Sequence, residues 1–232
     1  MVLKAIFFDL DYTLYDQRQY LLGAFWDVAD TIATECHLDT ESLYSSLLAV
    51  WEGIGTDYSY LFNDWLNQLG LSTQARIKRC MDAFHAHQPK SLTLYPGVDQ
   101  TLCDLKNGYL LGLITDGDTS MQQRKVAALN LVERFDLIVY TKQLTLNKPD
   151  PRIFQYALRE AKLSATQTAY VGDHPVKDII GARRAGLYAV RLLSGEFRDL
   201  PDDERFPPHH RIKDIKCLKK LVEEIETCGD LG

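Results

Sequence analysis

Two aspartates one residue apart, Asp9 and Asp11, are the side chains in this sequence that most clearly suggest chemistry. They follow an apolar run, Leu3–Phe8, which is typical of a buried parallel strand. In an open α/β sheet, ligands bind at the carboxyl ends of the strands, and residues i and i+2 point the same way. Two carboxylates that close repel each other, which favours a raised pKa on one or a cation between them. By itself, however, this pattern also fits two acidic residues in an ordinary turn after a strand.

Three later segments end apolar runs in the same way and add groups that suit phosphate chemistry. Thr115, followed by Asp116, offers a hydroxyl beside the N–H groups of a helix-entry loop, which can hold phosphate oxygens. Lys148 precedes a helix that opens with proline and can balance negative charge in a transition state. Asp173 and Asp178 follow another run. Each of these residues, taken singly, has an ordinary structural explanation. Because they occur together at the ends of successive predicted strands, they indicate one site.

The elements that must position these groups alternate between strand and helix. The predicted strands after the first are 110–115, 137–141, 169–172 and 188–193, and the predicted helices around them are 98–106, 120–129, 151–161, 175–185 and 214–227. Strand alternating with helix predicts right-handed crossovers and a parallel sheet. Residues 195–210 are rich in charge and proline and are predicted to be a surface loop.

Residues 16–93 break this alternation. They carry several helical patterns, at 17–35, 40–52, 58–69 and 73–86, and no convincing strand. We therefore predict an α/β fold whose parallel sheet core consists of residues 1–15 and 94–232, interrupted by an all-helical insert at 16–93.

The composition limits the classes of binding partner and the cellular location that we expect. The net charge of −6 disfavours nucleic acid as a partner, because an anionic surface repels its backbone. The five cysteines lie far apart without a C-x-x-C pair, so neither a zinc cluster nor a disulfide framework is expected. The N-terminus lacks a signal-peptide layout, and no uncharged apolar run reaches spanning length. We expect no membrane partner and a cytoplasmic location, and we make no prediction of oligomeric state.

Taken together, the motifs resemble those of the haloacid dehalogenase-like hydrolases, and specifically of their phosphatases with a helical cap inserted after the first strand. The matching segments are residues 9–14, 115–117, 148–151 and 172–186, and the resemblance spans residues 1 to about 195. It implies a Rossmann-like core, a Mg²⁺ cofactor and a cap domain at 16–93. A cap of that size suggests a small soluble phosphomonoester, with a preference for a nucleoside monophosphate.

The resemblance implies a chemical role for each aspartate at the end of the first strand. Asp9 would be the nucleophile that attacks phosphorus and forms an aspartyl-phosphate. Asp11 would be the general acid for the leaving oxygen and then the base for water. The carboxylates of Asp9 and Asp173 and the backbone carbonyl of Asp11 would bind Mg²⁺, which prefers oxygen ligands.

The resemblance also implies which residues hold the phosphoryl group. Thr115, Asp116 and Lys148 would bind its oxygens, and Asp178 would orient Lys148 or a metal-bound water. Asp116 stands where the family usually has asparagine, which adds negative charge near the phosphate. We therefore expect its side chain to turn away into the cap of the following helix.

Three alternatives stay open. A 2-haloacid dehalogenase resembles this sequence but lacks the second aspartate and needs no metal, so Asp11 argues against it. A phosphomutase shares all the motifs and acts on a sugar phosphate, returning the phosphoryl group to sugar rather than to water. A non-catalytic ligand-binding protein can also have this fold, because a fold alone does not guarantee activity.

Overall fold

A computed structural model of the protein describes residues 2–229. The chain divides into two compact units, of which one comprises the residues up to Gln17 and from Ser91 onward, and the other is Arg18–Lys90. Within the described residues, no helix is both long enough and apolar enough to cross a membrane. The assignment of functional domains to 1–15 with 94–232 and to 16–93 stays a prediction.

A parallel sheet forms the centre of the first unit. In the part of the chain that the structure describes it has six strands, which are β1 (Ala5–Phe8), β2 (Leu110–Thr115), β3 (Leu137–Tyr140), β4 (Thr168–Gly172), β5 (Tyr188–Leu192) and β6 (His210–Ile212). Their order is β3-β2-β1-β4-β5-β6, and every neighbouring pair is parallel. The central strand, β1, therefore has β2 and β4 on its two sides, so the carboxyl ends of these three strands meet.

Strand β6 was not predicted from the sequence. Its three residues carry two polar side chains, His210 and Arg211, so they lack the apolar alternation by which strands are recognised. The strand forms because its backbone pairs with β5 from Val190 to Leu192. Edge strands are commonly short and charged, since this limits pairing with other chains.

The second unit is a bundle of four helices. They are α1 (Arg18–Cys36), α2 (Thr40–Ile54), α3 (Leu61–Gln68) and α4 (Gln74–Ala86). The Asp39 carboxylate caps α2 by accepting the Ser42 N–H, and the Thr73 hydroxyl caps α4 in the same way. Three large aromatic side chains, Phe25, Trp51 and Trp65, are buried in the core of the bundle.

The helices that flank the sheet are α5 (Val98–Lys106), α6 (Thr119–Ala128), α7 (Pro151–Ala161), α8 (Gly181–Arg184) and α9 (Leu218–Gly229). The helix predicted at 175–185 is present, but its first part, Pro175–Ile180, is a π-helical turn that leads directly into α8. This wider turn lets the Asp178 carboxylate reach back to the His174 N–H, at 3.0 Å. The predicted class is confirmed: an α/β parallel sheet core with an inserted helical region.

Gly112 gives a test of how tightly the sheet packs. It pairs with Phe7 of β1, and a Cβ atom there would lie 2.4 Å from Cδ1 of that fully buried ring. We expect Gly112→Ala to lower the free energy of unfolding in urea by about 1–3 kcal/mol, because the ring must shift within a packed core. Gly108→Ala is the control, since its Cβ would meet nothing within 4 Å, and it should change stability by less than about 0.5 kcal/mol. Equal losses in both variants would contradict this packing argument.

Candidate active site

The site lies where β1, β2 and β4 end. Backbone pairing continues past β1, because the Asp9 N–H donates to the Val171 carbonyl at 2.9 Å. The chain then turns tightly, with the Leu14 N–H bonded to the Leu10 carbonyl at 2.9 Å and Tyr12 in the left-handed region at φ 58°. This turn leaves the side chains of Asp9 and Asp11 beside the ends of β2 and β4, as alternation along the strand predicts.

Lys148 joins two carboxylates from different parts of the chain. Its Nζ atom lies 2.6 Å from Asp9 Oδ1 and 2.7 Å from Asp178 Oδ1, and it donates to the Tyr170 hydroxyl at 3.2 Å. Only 3% of the lysine side chain is exposed. Burial by itself lowers the pKa of Lys148, but the charges of Asp178 and Asp9 more than offset this and hold the pKa well above its usual value. The site therefore contains a buried permanent cation.

Asp178 is held from three sides. Its Oδ1 also accepts the Tyr170 hydroxyl at 2.9 Å, and its Oδ2 accepts the His174 N–H at 3.0 Å. A Cβ atom at Gly172 would lie 2.5 Å from the Asp178 carboxyl carbon, so only glycine leaves room for this carboxylate under the end of β4. Of the two roles expected for Asp178, the structure shows the contact with Lys148.

The carboxylates of Asp9, Asp173 and Asp178 form a cluster that could hold a cation. Oxygen atoms of all three carboxylates lie within 4.8 Å of one another. Asp173 Oδ1 accepts the Thr13 hydroxyl at 3.2 Å, whereas its Oδ2 is buried without a hydrogen-bond partner among the described residues. Buried polar atoms normally have a partner, so an orphaned carboxylate oxygen beside two further carboxylates suits a hard cation such as Mg²⁺.

The charge of this cluster alters its acidity. Burial raises the pKa of Asp9 to about 7, against the opposing effect of Lys148 and with the help of Asp178 and Asp11. Burial likewise raises the pKa of Asp173 well above its usual value, and the charges of Asp178 and Asp9 act in the same direction. A bound divalent cation would relieve this repulsion, because it favours the charged form of each carboxylate.

Asp11 has different surroundings from Asp9, and its pKa shifts in the opposite direction. Its carboxylate lies 2.8 and 3.0 Å from Lys125 Nζ, and it accepts the Tyr15 hydroxyl at 2.6 Å and the Gln122 amide at 2.9 Å. Burial alone would raise the pKa of Asp11, but the Lys125 charge and these hydrogen bonds lower it below its usual value. None of these three partners was predicted from the sequence. One feature of the sequence could have indicated Lys125: it lies four residues after Met121, on the same face of α6 as this apolar side chain.

Thr115 and Asp116 meet different partners. The Thr115 hydroxyl contacts the amide nitrogen of Gln122, while the Asp116 carboxylate accepts the backbone N–H of Lys148 at 3.1 and 3.3 Å. The expectation that Asp116 turns into the helix cap was therefore wrong. Asp118 caps α6 instead, since from its position two residues later it reaches the N–H groups at the start of the helix.

A buried arginine ties the loop after β5 to the site. Arg191 Nε donates to the Asp173 carbonyl at 3.2 Å, and its other nitrogens bind Asp202 at 2.6 Å and the Phe197 carbonyl at 2.7 Å. This residue was not singled out in the sequence, since its neighbours in β5 are apolar and its partners come from the predicted loop. Part of that loop is thus held against the residue that carries the orphaned oxygen.

The geometry links all seven residues that the sequence singled out, namely Asp9, Asp11, Thr115, Asp116, Lys148, Asp173 and Asp178. A buried carboxylate beside a buried ammonium, with further carboxylates nearby that could hold a cation, suits phosphoryl transfer, which needs in-line positioning and neutralisation of charge. The individual roles stay predictions.

Comparison with known proteins points to one family. The chain matches the family described as haloacid dehalogenase-like hydrolase over residues 6–192. A glyceraldehyde 3-phosphate phosphatase of Methanocaldococcus jannaschii is 34% identical over 97% of this chain and 98% of its own length. A pyrimidine 5′-nucleotidase of Escherichia coli is 28% identical over 94% and 96%. The crystal structure of a 2-haloacid dehalogenase from Pseudomonas syringae is similar with a TM-score of 0.68 and 26% identity, covering 97% of this chain and 100% of that one.

The raised pKa of Asp9 predicts how the stability of the metal-free protein depends on pH. The folded state holds this proton more tightly than the unfolded state, because the pKa is about 7 in the folded protein and ordinarily 3.8. This contribution is full below about pH 4 and is lost as the pH rises through about 7. With a chelator present, the free energy of unfolding should fall over this range by up to about 4 kcal/mol, at about 1.4 kcal/mol for each tenfold change in proton affinity.

Urea unfolding of the wild type and Asp9→Asn at a series of pH values measures this effect. The variant lacks the titrating carboxyl, so its stability should fall less steeply with pH. Parallel curves for the two proteins would show that Asp9 does not titrate in this way.

Proposed function

Because the chain belongs to the haloacid dehalogenase-like hydrolases, we propose that it removes the phosphoryl group from a small phosphorylated metabolite through an aspartyl-phosphate on Asp9. The predicted family and the predicted enzyme class, a phosphoric monoester hydrolase, are confirmed. The observation that carries the proposed mechanism is the contact of 2.6 Å between Asp9 and Lys148 in a buried site.

In the proposed first step, a carboxylate oxygen of Asp9 attacks phosphorus. The new oxygen–phosphorus bond forms as the bond to the leaving oxygen breaks, and Asp11 gives its proton to that oxygen. In the second step, water gives a proton to Asp11 as its oxygen bonds to phosphorus, and the Asp9 carboxylate leaves. Lys148, held by Asp9 and Asp178, balances the negative charge of the phosphoryl group in both steps.

The donor set fits Mg²⁺ as the cofactor. The orphaned oxygen of Asp173, the carboxylate of Asp9 and the backbone carbonyl of Asp11 would hold the ion. When bound, Mg²⁺ neutralises charge on the phosphoryl oxygens and on the surrounding carboxylates. Thr115 and the backbone N–H groups after β2 would bind the remaining phosphoryl oxygens.

Glyceraldehyde 3-phosphate is the first substrate to examine, since the relative that carries this name matches nearly the whole chain. A nucleoside monophosphate, the substrate preferred from the sequence, is supported by the similarity to the nucleotidase. We further propose that residues 16–93 act as a cap domain that selects the substrate. A cytoplasmic location without nucleic-acid or membrane partners completes the proposal, and it rests on the net charge of −6 and the scattered cysteines.

Carbon–halogen hydrolysis and phosphoryl return to a sugar are the competing activities. Similarity to a haloacid dehalogenase structure keeps the first under consideration. Asp11, held by Lys125 and Tyr15, argues against it, because a dehalogenase of this family does without that aspartate. A phosphomutase would carry the same groups, and product analysis separates it from a phosphatase.

Replacing the nucleophile gives the direct test of the proposed mechanism. We expect Mg²⁺-dependent release of phosphate from glyceraldehyde 3-phosphate or from an aryl phosphate by the wild type. Asp9→Asn should lower kcat by roughly a thousandfold or more, because it removes the attacking oxygen. Rapid acid quenching followed by mass spectrometry should find a phosphoryl group on the peptide that contains Asp9 in the wild type alone.

Asp118→Asn is the matched control, because asparagine keeps the cap of α6 and Asp118 is not one of the proposed catalytic groups. Undiminished turnover in Asp9→Asn would rule out the nucleophile. Sugar-phosphate isomerisation without phosphate release would indicate the mutase, and chloride release from a haloacid without metal would indicate the dehalogenase.

Asp116 gives a second test of the phosphate site. Asparagine can accept the same Lys148 N–H, so Asp116→Asn removes one negative charge and keeps the hydrogen bond. We expect inorganic phosphate to inhibit this variant about fivefold more strongly, which corresponds to about 1 kcal/mol of relieved repulsion. Competitive inhibition constants for the wild type, Asp116→Asn and Asp118→Asn measure the effect. An unchanged or higher constant in Asp116→Asn would mean that this carboxylate does not face the phosphate site.

A further inference from the structure

Lys125 is a buried lysine outside the four motifs. It lies on α6, only 3% of its side chain is exposed, and its Nζ atom contacts both carboxylate oxygens of Asp11 at 2.8 and 3.0 Å. A lysine is rarely buried unless it is paired, and a charge-assisted contact with both oxygens restricts the orientation of the carboxylate. The mechanism described above uses Asp11 but does not explain what holds it.

Gln122 lies one helical turn before Lys125 on the same face of α6 and is also almost fully buried. Its amide nitrogen donates to Asp11 Oδ2 at 2.9 Å and contacts the Thr115 hydroxyl. One amide group therefore joins the proposed acid/base in the turn after β1 to the proposed phosphate-binding hydroxyl at the end of β2. Gln122 thus ties the Asp11 carboxylate to the hydroxyl that is proposed to bind phosphate.

Tyr15 completes the set of donors around this carboxylate. Its hydroxyl donates to Asp11 Oδ1 at 2.6 Å, and the side chain is fully buried. The Asp11 carboxylate consequently meets an ammonium, an amide and a phenol from two separate parts of the chain. Ordering a flexible carboxylate by three donors in the free enzyme reduces the entropy that must be lost when the reaction begins.

We propose that Gln122 and Lys125 are positioning residues of this enzyme, which hold Asp11 in line with the leaving oxygen and at a set distance from Thr115. The inference rests on the proposed phosphatase function and extends it to α6, which none of the motifs includes. Loss of this positioning acts on the step in which Asp11 hands over a proton. It therefore affects substrates with a strongly basic leaving oxygen, and it leaves substrate binding and weakly basic leaving groups largely unaffected.

Comparing two substrates with different leaving oxygens distinguishes a positioning role of Lys125 from a general effect on the structure. We expect Lys125→Met to lower kcat for an alkyl phosphate such as glyceraldehyde 3-phosphate by about 10-fold to 100-fold. For 4-nitrophenyl phosphate the loss should stay below about threefold, because nitrophenolate leaves without protonation. KM should be little changed for both substrates. Lys125→Arg, which keeps two donors for the carboxylate, should restore most of the loss.

Gln122→Leu should show the same dependence on the leaving group, with Gln123→Leu, an exposed neighbour on α6, as the matched control. Tyr15→Phe keeps the buried ring and removes only the hydroxyl, so it tests Asp11 even where a change in α6 impairs folding. Equal losses for both substrates, or no loss for the alkyl phosphate, would overturn the inference. Absence of any phosphate release by the wild type would instead refute the proposed function.

A crystal structure of Lys125→Met tests the same inference without turnover. The Asp11 side chain should leave the orientation in which it accepts the Gln122 amide, or it should become disordered. An Asp11 carboxylate that stays in the same orientation and order would show that Lys125 does not position it.

Discussion

The ion pairs of Lys148 are the interaction on which the site depends. Asp9 and Asp178 come from segments far apart in the sequence, and both carboxylates are buried within 2.7 Å of the same ammonium. Buried charges are costly unless they are paired and hydrogen-bonded, and removing one partner leaves the others uncompensated. The lysine thus holds together the ends of two strands, β1 and β4, and the loop before α7.

Several backbone features serve this arrangement. Gly172 leaves space for the Asp178 carboxylate, and the π-helical turn aims that carboxylate at the His174 N–H. Asp116 fixes the backbone of Lys148, and Arg191 fixes the carbonyl of Asp173. The contacts of Asp116 and Arg191 each join the end of one strand to a segment at a neighbouring strand, which restrains the site residues.

Asp9 and Asp11 lie close together in the chain but have pKa shifts in opposite directions. Burial raises the pKa of Asp9 to about 7 even though Lys148 opposes it, whereas Lys125 and two neutral donors lower the pKa of Asp11. Environments that separate the acidities of two carboxyl groups allow one pair to perform two tasks. In the proposed reaction, Asp9 must be ionised to attack phosphorus and Asp11 must be protonated to act as the acid, which is opposite to these shifts in the metal-free protein. A bound cation would favour the ionised form of Asp9, and the negative charge of a bound phosphate would raise the pKa of Asp11.

The sequence determined the class of the fold and the identity of most site residues. Apolar runs predicted β1 to β5 because a strand buried on both faces must be apolar, and the polar residues just after them stood out. The same reasoning failed for β6, which forms by pairing with β5 and not by its own pattern. For 175–185 the sequence predicted a helix correctly, but not the π-helical turn at its start, in which Asp178 contacts the His174 N–H.

Only the tertiary structure decided which groups surround each carboxylate. The sequence placed Asp9 and Asp11 side by side, but Lys148 and Lys125, which reach them, lie more than a hundred residues later in the chain. The sequence also indicated that Asp116 adds a negative charge near the phosphate site. In the folded protein, its carboxylate accepts the backbone N–H of Lys148. Residue types and local periodicity are encoded along the chain, whereas partners at such separation follow from the order of strands in the sheet and the packing of helices on it.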